Sequence, residues 1–97
     1  MDKLSTVDRE TKLKKILENG WLLDETRDAI TKEFQFKNFI EAFSWMTKIA
    51  FWAEKINHHP EWFNVYRNVT VVLTTHDVIG LSSLDLELAS KMDSEAA

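Results

Sequence analysis

The sequence predicts an α+β fold. A four-stranded antiparallel sheet is covered by helices in a two-layer sandwich, in the order α-β-β-α-β-β-α, with residues 1–97 forming one domain. Three observations lead there. Two pairs of short apolar segments are each joined by a few turn-forming residues, the pattern of antiparallel hairpins. Between the pairs lies Lys37 to Lys55, the longest stretch of helical periodicity, free of Gly and Pro. A Ser-x-x-acid box, which caps helix N-termini, stands before each of the outer helical stretches.

Residues 1–4 read as a frayed start. Ser5-Thr6-Val7-Asp8 opens a helix over about residues 6–18, with Leu13, Ile16 and Leu17 as its apolar stripe and Asn19-Gly20 as its stop. Trp21-Leu22-Leu23 is a first strand, and Arg27 to Phe36 alternates as a second. Ile30, Lys32, Phe34 and Phe36 then share one face, and Asp24-Glu25-Thr26 forms the connection. In the long helix, Phe39, Ala42, Phe43, Met46, Ile49, Ala50 and Ala53 fall on one core-facing arc. Ile40, Ser44, Thr47 and Phe51 make a second stripe, small in the middle, suited to packing against another chain. Trp45 and Trp52 lie on a further face. The helix ends before Pro60, because the residue preceding proline is pushed out of the helical region, so His58 and His59 sit on an extended loop. Phe63 to Tyr66 and the β-branched run Val69 to Thr75 follow as strands around Arg67-Asn68. Val69, Val71, Leu73 and Thr75 share one face of the last strand; Thr70, Val72, Thr74 and His76 share the other. Ser82-Ser83-Leu84-Asp85 opens a final helix with Leu84, Leu88 and Met92 on one side, and Ser94 to Ala97 reads as a loose tail.

Composition excludes several functions. There is no cysteine, hence no disulfide, thiolate nucleophile or cysteine-based zinc site. The formal charge of −4 and the lack of a basic face argue against direct nucleic-acid binding. The first twenty residues are too charged for a signal peptide, and no apolar run approaches the roughly 20 residues of a membrane span. The expectation is a soluble intracellular domain with no basic nuclear-entry signal of its own.

What stands out is the clustering of all three histidines in two short segments, Asn57-His58-His59-Pro60 and Thr74-Thr75-His76-Asp77. Imidazole, with an ordinary pKa of about 6.5, exchanges protons near neutral pH. Neighbouring residues of an extended loop point to opposite sides, which disfavours one metal ion held by both His58 and His59 and leaves only His76 with one of them and a carboxylate as a three-ligand alternative. There is no nucleophile elbow and no glycine-rich phosphate loop. General acid–base work remains, such as elimination of water, against the plainer alternative of exposed loop histidines without chemistry. Glu54, Asp77 and Asp85 are the carboxylates placed to orient the rings or simply to be solvated.

The stretch Glu54-Lys55-Ile56-Asn57-His58-His59-Pro60-Glu61-Trp62, with Asn64-Val65-Tyr66, Val69, Leu73-Thr74-Thr75-His76-Asp77, Gly80-Leu81-Ser82 and Asp85, closely resembles the pterin-4a-carbinolamine dehydratase family. That family is also known as the dimerization cofactor of a liver homeodomain transcription factor. Gly20-Trp21, Arg27 to Ile30, Ala42-Phe43 and Met46-Thr47 fit it as well, so the likeness runs from Leu4 to about Met92. It implies a lyase of tetrahydrobiopterin recycling, which removes water from 4a-hydroxytetrahydropterin to give quinonoid dihydropterin without metal or cofactor. By the same resemblance His58 and His76 are the acid–base pair and His59 binds substrate. Asn57, Thr74, Thr75 and Asp77 line the pterin site, and Pro60 and Trp62 shape its wall. Glu54 and Asp85 stand behind the histidines. The resemblance further implies a dimer through the sheet and a tetramer through the long helix, with Ile40, Ser44, Thr47 and Phe51 at the contact. It also implies an alternative role as a transcriptional coactivator whose helix receives the homeodomain protein's dimerization segment. The implied location is the cytoplasm, with nuclear entry left open. Val78, Asp77 and Asn57 replace Cys, Glu and Asp of some relatives; no histidine is lost.

Overall fold

The computed structural model describes residues 1–97. The chain opens with α1 (Thr6–Asp8), a π-helical stretch (Arg9–Leu13) and α2 (Lys14–Glu18), which together make one helical run. Then come β1 (Leu22–Asp24), β2 (Ala29–Gln35), α3 (Phe39–Ile56), β3 (Glu61–Val65), β4 (Asn68–Leu73), a 3-10 turn (His76–Val78) and α4 (Ser83–Ala96). The strands form one antiparallel sheet in the order β1-β2-β4-β3. The expected α+β order is therefore present. No helix is long and apolar enough to cross a membrane.

The two Ser-x-x-Asp segments cap their helices as the sequence suggests, and Asn38, not singled out there, caps α3. Ser5 Oγ accepts from Asp8 N at 3.0 Å, Asn38 Oδ1 accepts from Glu41 N at 2.9 Å, and Ser82 with Asp85 forms a complete capping box. Asn57 closes α3 in the left-handed conformation (φ 54°), a position Asn tolerates better than most residues. The inner face of the sheet carries Ile30, Phe34, Val69, Val71 and Leu73, all buried, against Ala42, Trp45 and Ile49 of α3 and Leu88, Ala89 and Met92 of α4. Lys32, which interrupts the inner face of β2, is accommodated by its Nζ. That group donates to Asp93 Oδ1 (2.7 Å) and Asn19 O (2.6 Å) and lies 4.8 Å from the centre of the Phe34 ring.

Several expectations are corrected. Leu4 is buried, and its N–H donates to Leu81 O at 2.9 Å, so the start of the chain is tied down. The tail predicted at Ser94 is helical to Ala96, held where Trp21 donates to Asp93 and Trp52 donates to Glu95. On α3 the core arc is rotated. Trp45 is buried, donating Nε1–H to Met92 O at 3.1 Å with its ring 4.6 Å from Phe34. Phe39 and Phe43 are exposed instead, because α4 packs on the tryptophan side of the helix and offers the indole a carbonyl partner. The strand predicted to reach Thr75 stops at Leu73. Beyond it, Thr75 bridges to Gly80 around the 3-10 turn. Gly80 is required there by space: a Cβ would sit 2.3 Å from Asp28 Oδ2.

Candidate active site

Two chain exits meet at one end of the sheet. After α3 the left-handed Asn57 redirects the chain and Pro60 starts it into β3; after β4 the chain leaves through Thr74, Thr75 and His76. The register places Glu61 opposite Val72 and Ile30 opposite Leu73, so the start of β3 and the start of β2 flank the exit of β4. The result is an open cavity of about 310 Å³ lined by Asn57, His58, His59, Pro60, Glu61, Thr74, Thr75, His76 and Asp77, none of them hydrophobic.

All three imidazoles face carboxylates through Nε2. His58, buried, lies 2.6 Å from Asp85 Oδ1; His59, exposed, 2.5 Å from Glu54 Oε2; His76, exposed, 3.0 Å from Glu61 Oε2. Asp85 is wholly buried and satisfied. Its Oδ2 accepts from Ser82 N (2.9 Å) and Thr75 Oγ1 (2.7 Å), while Thr75 Oγ1 lies 2.6 Å from Ser82 Oγ. The carboxylate that caps α4 thus also holds His58. A neutral imidazole bound this way carries its proton on Nε2 and a lone pair on Nδ1. Thr74 Oγ1 donates to Asp28 O at 3.1 Å, joining the exit of β4 to the β1–β2 turn.

The cavity brings together every predicted substrate-site residue except Trp62. Side chains alternate along β3, so Trp62, absent from the cavity lining, faces inward, its ring 6.2 Å from Trp45. His58 and His59, adjacent in the chain, meet different carboxylates, one buried and one exposed. Glu61, quoted in the histidine motif but given no role there, is a lining residue. Both its oxygens accept from Arg27 (2.9 and 2.8 Å), and its carboxyl is lowered to about 2, first by Arg27 and then by His76. Its place next to Pro60 was the available signal. No group of three or more His, Asp or Glu side chains is arranged to hold a metal ion.

Such a fold and pocket define an α+β protein equipped to move protons on a small polar ligand. The family model described as pterin 4 alpha carbinolamine dehydratase matches residues 2–95. A Roseobacter denitrificans protein bearing that family's name is 61% identical over 95 residues, covering 98% of this chain and 97% of the relative. The Drosophila melanogaster pterin-4-alpha-carbinolamine dehydratase is 53% identical over 94 residues, which are 97% of this chain and 49% of that longer one. The crystal structure of a transcriptional coactivator/pterin dehydratase from Brucella melitensis is similar with a TM-score of 0.89 at 41% identity, covering 98% of this chain and 99% of that one. The chain belongs to the pterin 4 alpha carbinolamine dehydratase family.

Proposed function

We propose that this member of the family is an active dehydratase, a single domain over residues 1–97 that converts a 4a-hydroxytetrahydropterin such as 4a-hydroxytetrahydrobiopterin to the quinonoid dihydropterin. The C4a–O bond breaks and the hydroxyl leaves as water after taking a proton. The N5–H proton goes to a base, and its electron pair forms the C4a=N5 bond. Only protons move, so an acid and a base suffice, with no cofactor. His58, held at Nε2 by Asp85, suits the base through its Nδ1 lone pair. His76 suits the acid, and His59, oriented by Glu54, binds the substrate together with Asn57, Thr74, Thr75 and Asp77. The observation that carries this reading is the convergence of three carboxylate-paired imidazoles on one polar cavity.

The test is dehydration of synthetic 4a-hydroxytetrahydropterin followed by absorbance. The wild type is expected to exceed buffer, with His58→Ala and His76→Ala each lowering kcat/KM by about 10²- to 10⁴-fold and His59→Ala acting mainly on KM. A wild-type rate equal to that in buffer rejects the proposal.

A second reading concerns α3. Ile40 (75% exposed) and Phe51 (74% exposed) leave a long apolar face uncovered, with Ser44 and Thr47 between them. This supports self-association through the helix, beside a dimer through the sheet, and docking of a homeodomain protein's dimerization segment on the same face. The Brucella relative's description as a coactivator favours the same use. In this reading the protein works in the cytoplasm and reaches the nucleus with its partner.

A further inference from the structure

We propose that Arg27 is a positioning residue for His76, acting through Glu61; the inference rests on the dehydratase reading above. His58 is fixed by burial and by Asp85, but His76 is exposed, and its one side-chain partner is Glu61 Oε2, at 3.0 Å. The direction of the His76 ring therefore depends on the plane of the Glu61 carboxylate. Terminal carboxylate torsions are soft, so an exposed Glu does not hold that plane unaided. Arg27 does: Nη1 donates to Oε1 at 2.9 Å and Nη2 to Oε2 at 2.8 Å, a fork that fixes both oxygens at once.

The backbone places Arg27 for this. Asp24 Oδ1 accepts from Thr26 N (3.0 Å) and Arg27 N (3.4 Å), closing the turn between β1 and β2. Asp28, next in the chain, is left-handed (φ 52°) and is pinned by Nη1 and Nη2 of Arg9 and by Leu81 N. A second cavity of about 570 Å³, with Arg27 on its wall, shares Thr74 and His76 with the histidine cavity. Arg27 and Glu61 meet beside that shared boundary. With both side chains more than 40% exposed, the pair contributes little to stability, which leaves orientation as its consequence.

The experiment combines kinetics on synthetic 4a-hydroxytetrahydropterin with ¹⁵N NMR of the imidazoles. Arg27→Gln is expected to lower kcat between about 10- and 100-fold with KM little changed, as displacement of a reacting group does. Arg27→Lys, which keeps the charge but not the fork, is expected to recover part of the loss. The double variant Arg27→Gln/Glu61→Gln should be no slower than Glu61→Gln alone, since both changes interrupt one path. In the wild type neutral His76 should carry its proton on Nε2; in Arg27→Gln the two tautomers should mix, with the melting temperature unchanged. An unaltered kcat in Arg27→Gln, multiplying losses in the double variant, or an unchanged tautomer overturns the inference. If wild type is inactive, the dehydratase reading fails and this inference with it; if wild type is active and His76→Ala is as fast, the role given to His76 fails and this inference with it, while the activity stands. If His76→Ala is slow and Arg27→Gln is not, this inference alone fails.

Discussion

At the residue scale, each histidine of the cavity meets a different carboxylate. Asp85 is buried and triply bonded, Glu54 is exposed, and Glu61 is shared between a cation and an imidazole. Glu61 has a measurable consequence. Its carboxyl is lowered from an ordinary 4.5 to about 2 by the hydrogen bond from Arg27, then by that from His76. A carboxyl lowered in the folded state contributes fully above the ordinary value and loses that contribution as pH falls toward the folded one, because the unfolded chain takes up its proton first. The wild type should therefore lose slightly more stability than Glu61→Gln as pH falls from 4.5 to about 2, a small difference because the pair is solvent-screened. Urea denaturation across that window measures it. A larger loss in the variant would contradict the sign.

At the element scale, the start of α4 carries two duties. Ser82 and Asp85 cap the helix, and the same Asp85 fixes His58. Ser82, which caps the helix without touching a histidine, lets the two duties be separated by mutation. Ser82→Ala removes the hydroxyl facing Leu84 N (3.3 Å) and Thr75 Oγ1, but leaves the Ser82 N–H bond to Asp85. Loss of about 1–2 kcal/mol in urea denaturation is expected, with dehydration retained. Loss of dehydration at undiminished stability would reverse that assignment. The β1–β2 turn is similarly shared, since Asp28 joins Arg9, Leu81 and Thr74 to the mouth of the cavity. Arg9 holds the Asp28 carboxyl below its usual range.

At the scale of the whole molecule, α3 and α4 cover the inner face of the sheet, while Leu22, Phe63 and Val65 stay exposed on the outer one. Ile40, Phe43 and Phe51 of α3 are exposed as well, so large apolar side chains stand in water both on the sheet and on the long helix. Sedimentation velocity is expected to give a species larger than one chain. Thr47→Arg should shift it to a smaller one with the circular dichroism unchanged, since a long cation between two close helices is not accommodated. A wild type that sediments as a single chain would remove the basis for an interface on α3.

Some of this could be read without coordinates. Period-two runs, Ser-x-x-Asp boxes, Asn-Gly and His-His-Pro are local signals whose physics acts within a few residues, so element order and both histidine segments were legible. Other features depend on what the fold brings close. Trp45 rather than Phe43 enters the core because α4 supplies Met92 O. Trp62 leaves the cavity because the pleat of β3 turns it inward. Lys32 sits on an apolar face because Asp93, 61 residues later, meets it there. Arg27 reaches Glu61 across 34 residues by sheet register alone. Local sequence determined which elements form and put His59 within five residues of its partner Glu54; tertiary packing decided that His58 meets Asp85 and His76 meets Glu61, 27 and 15 residues away, because those pairs exist only once the sheet has closed.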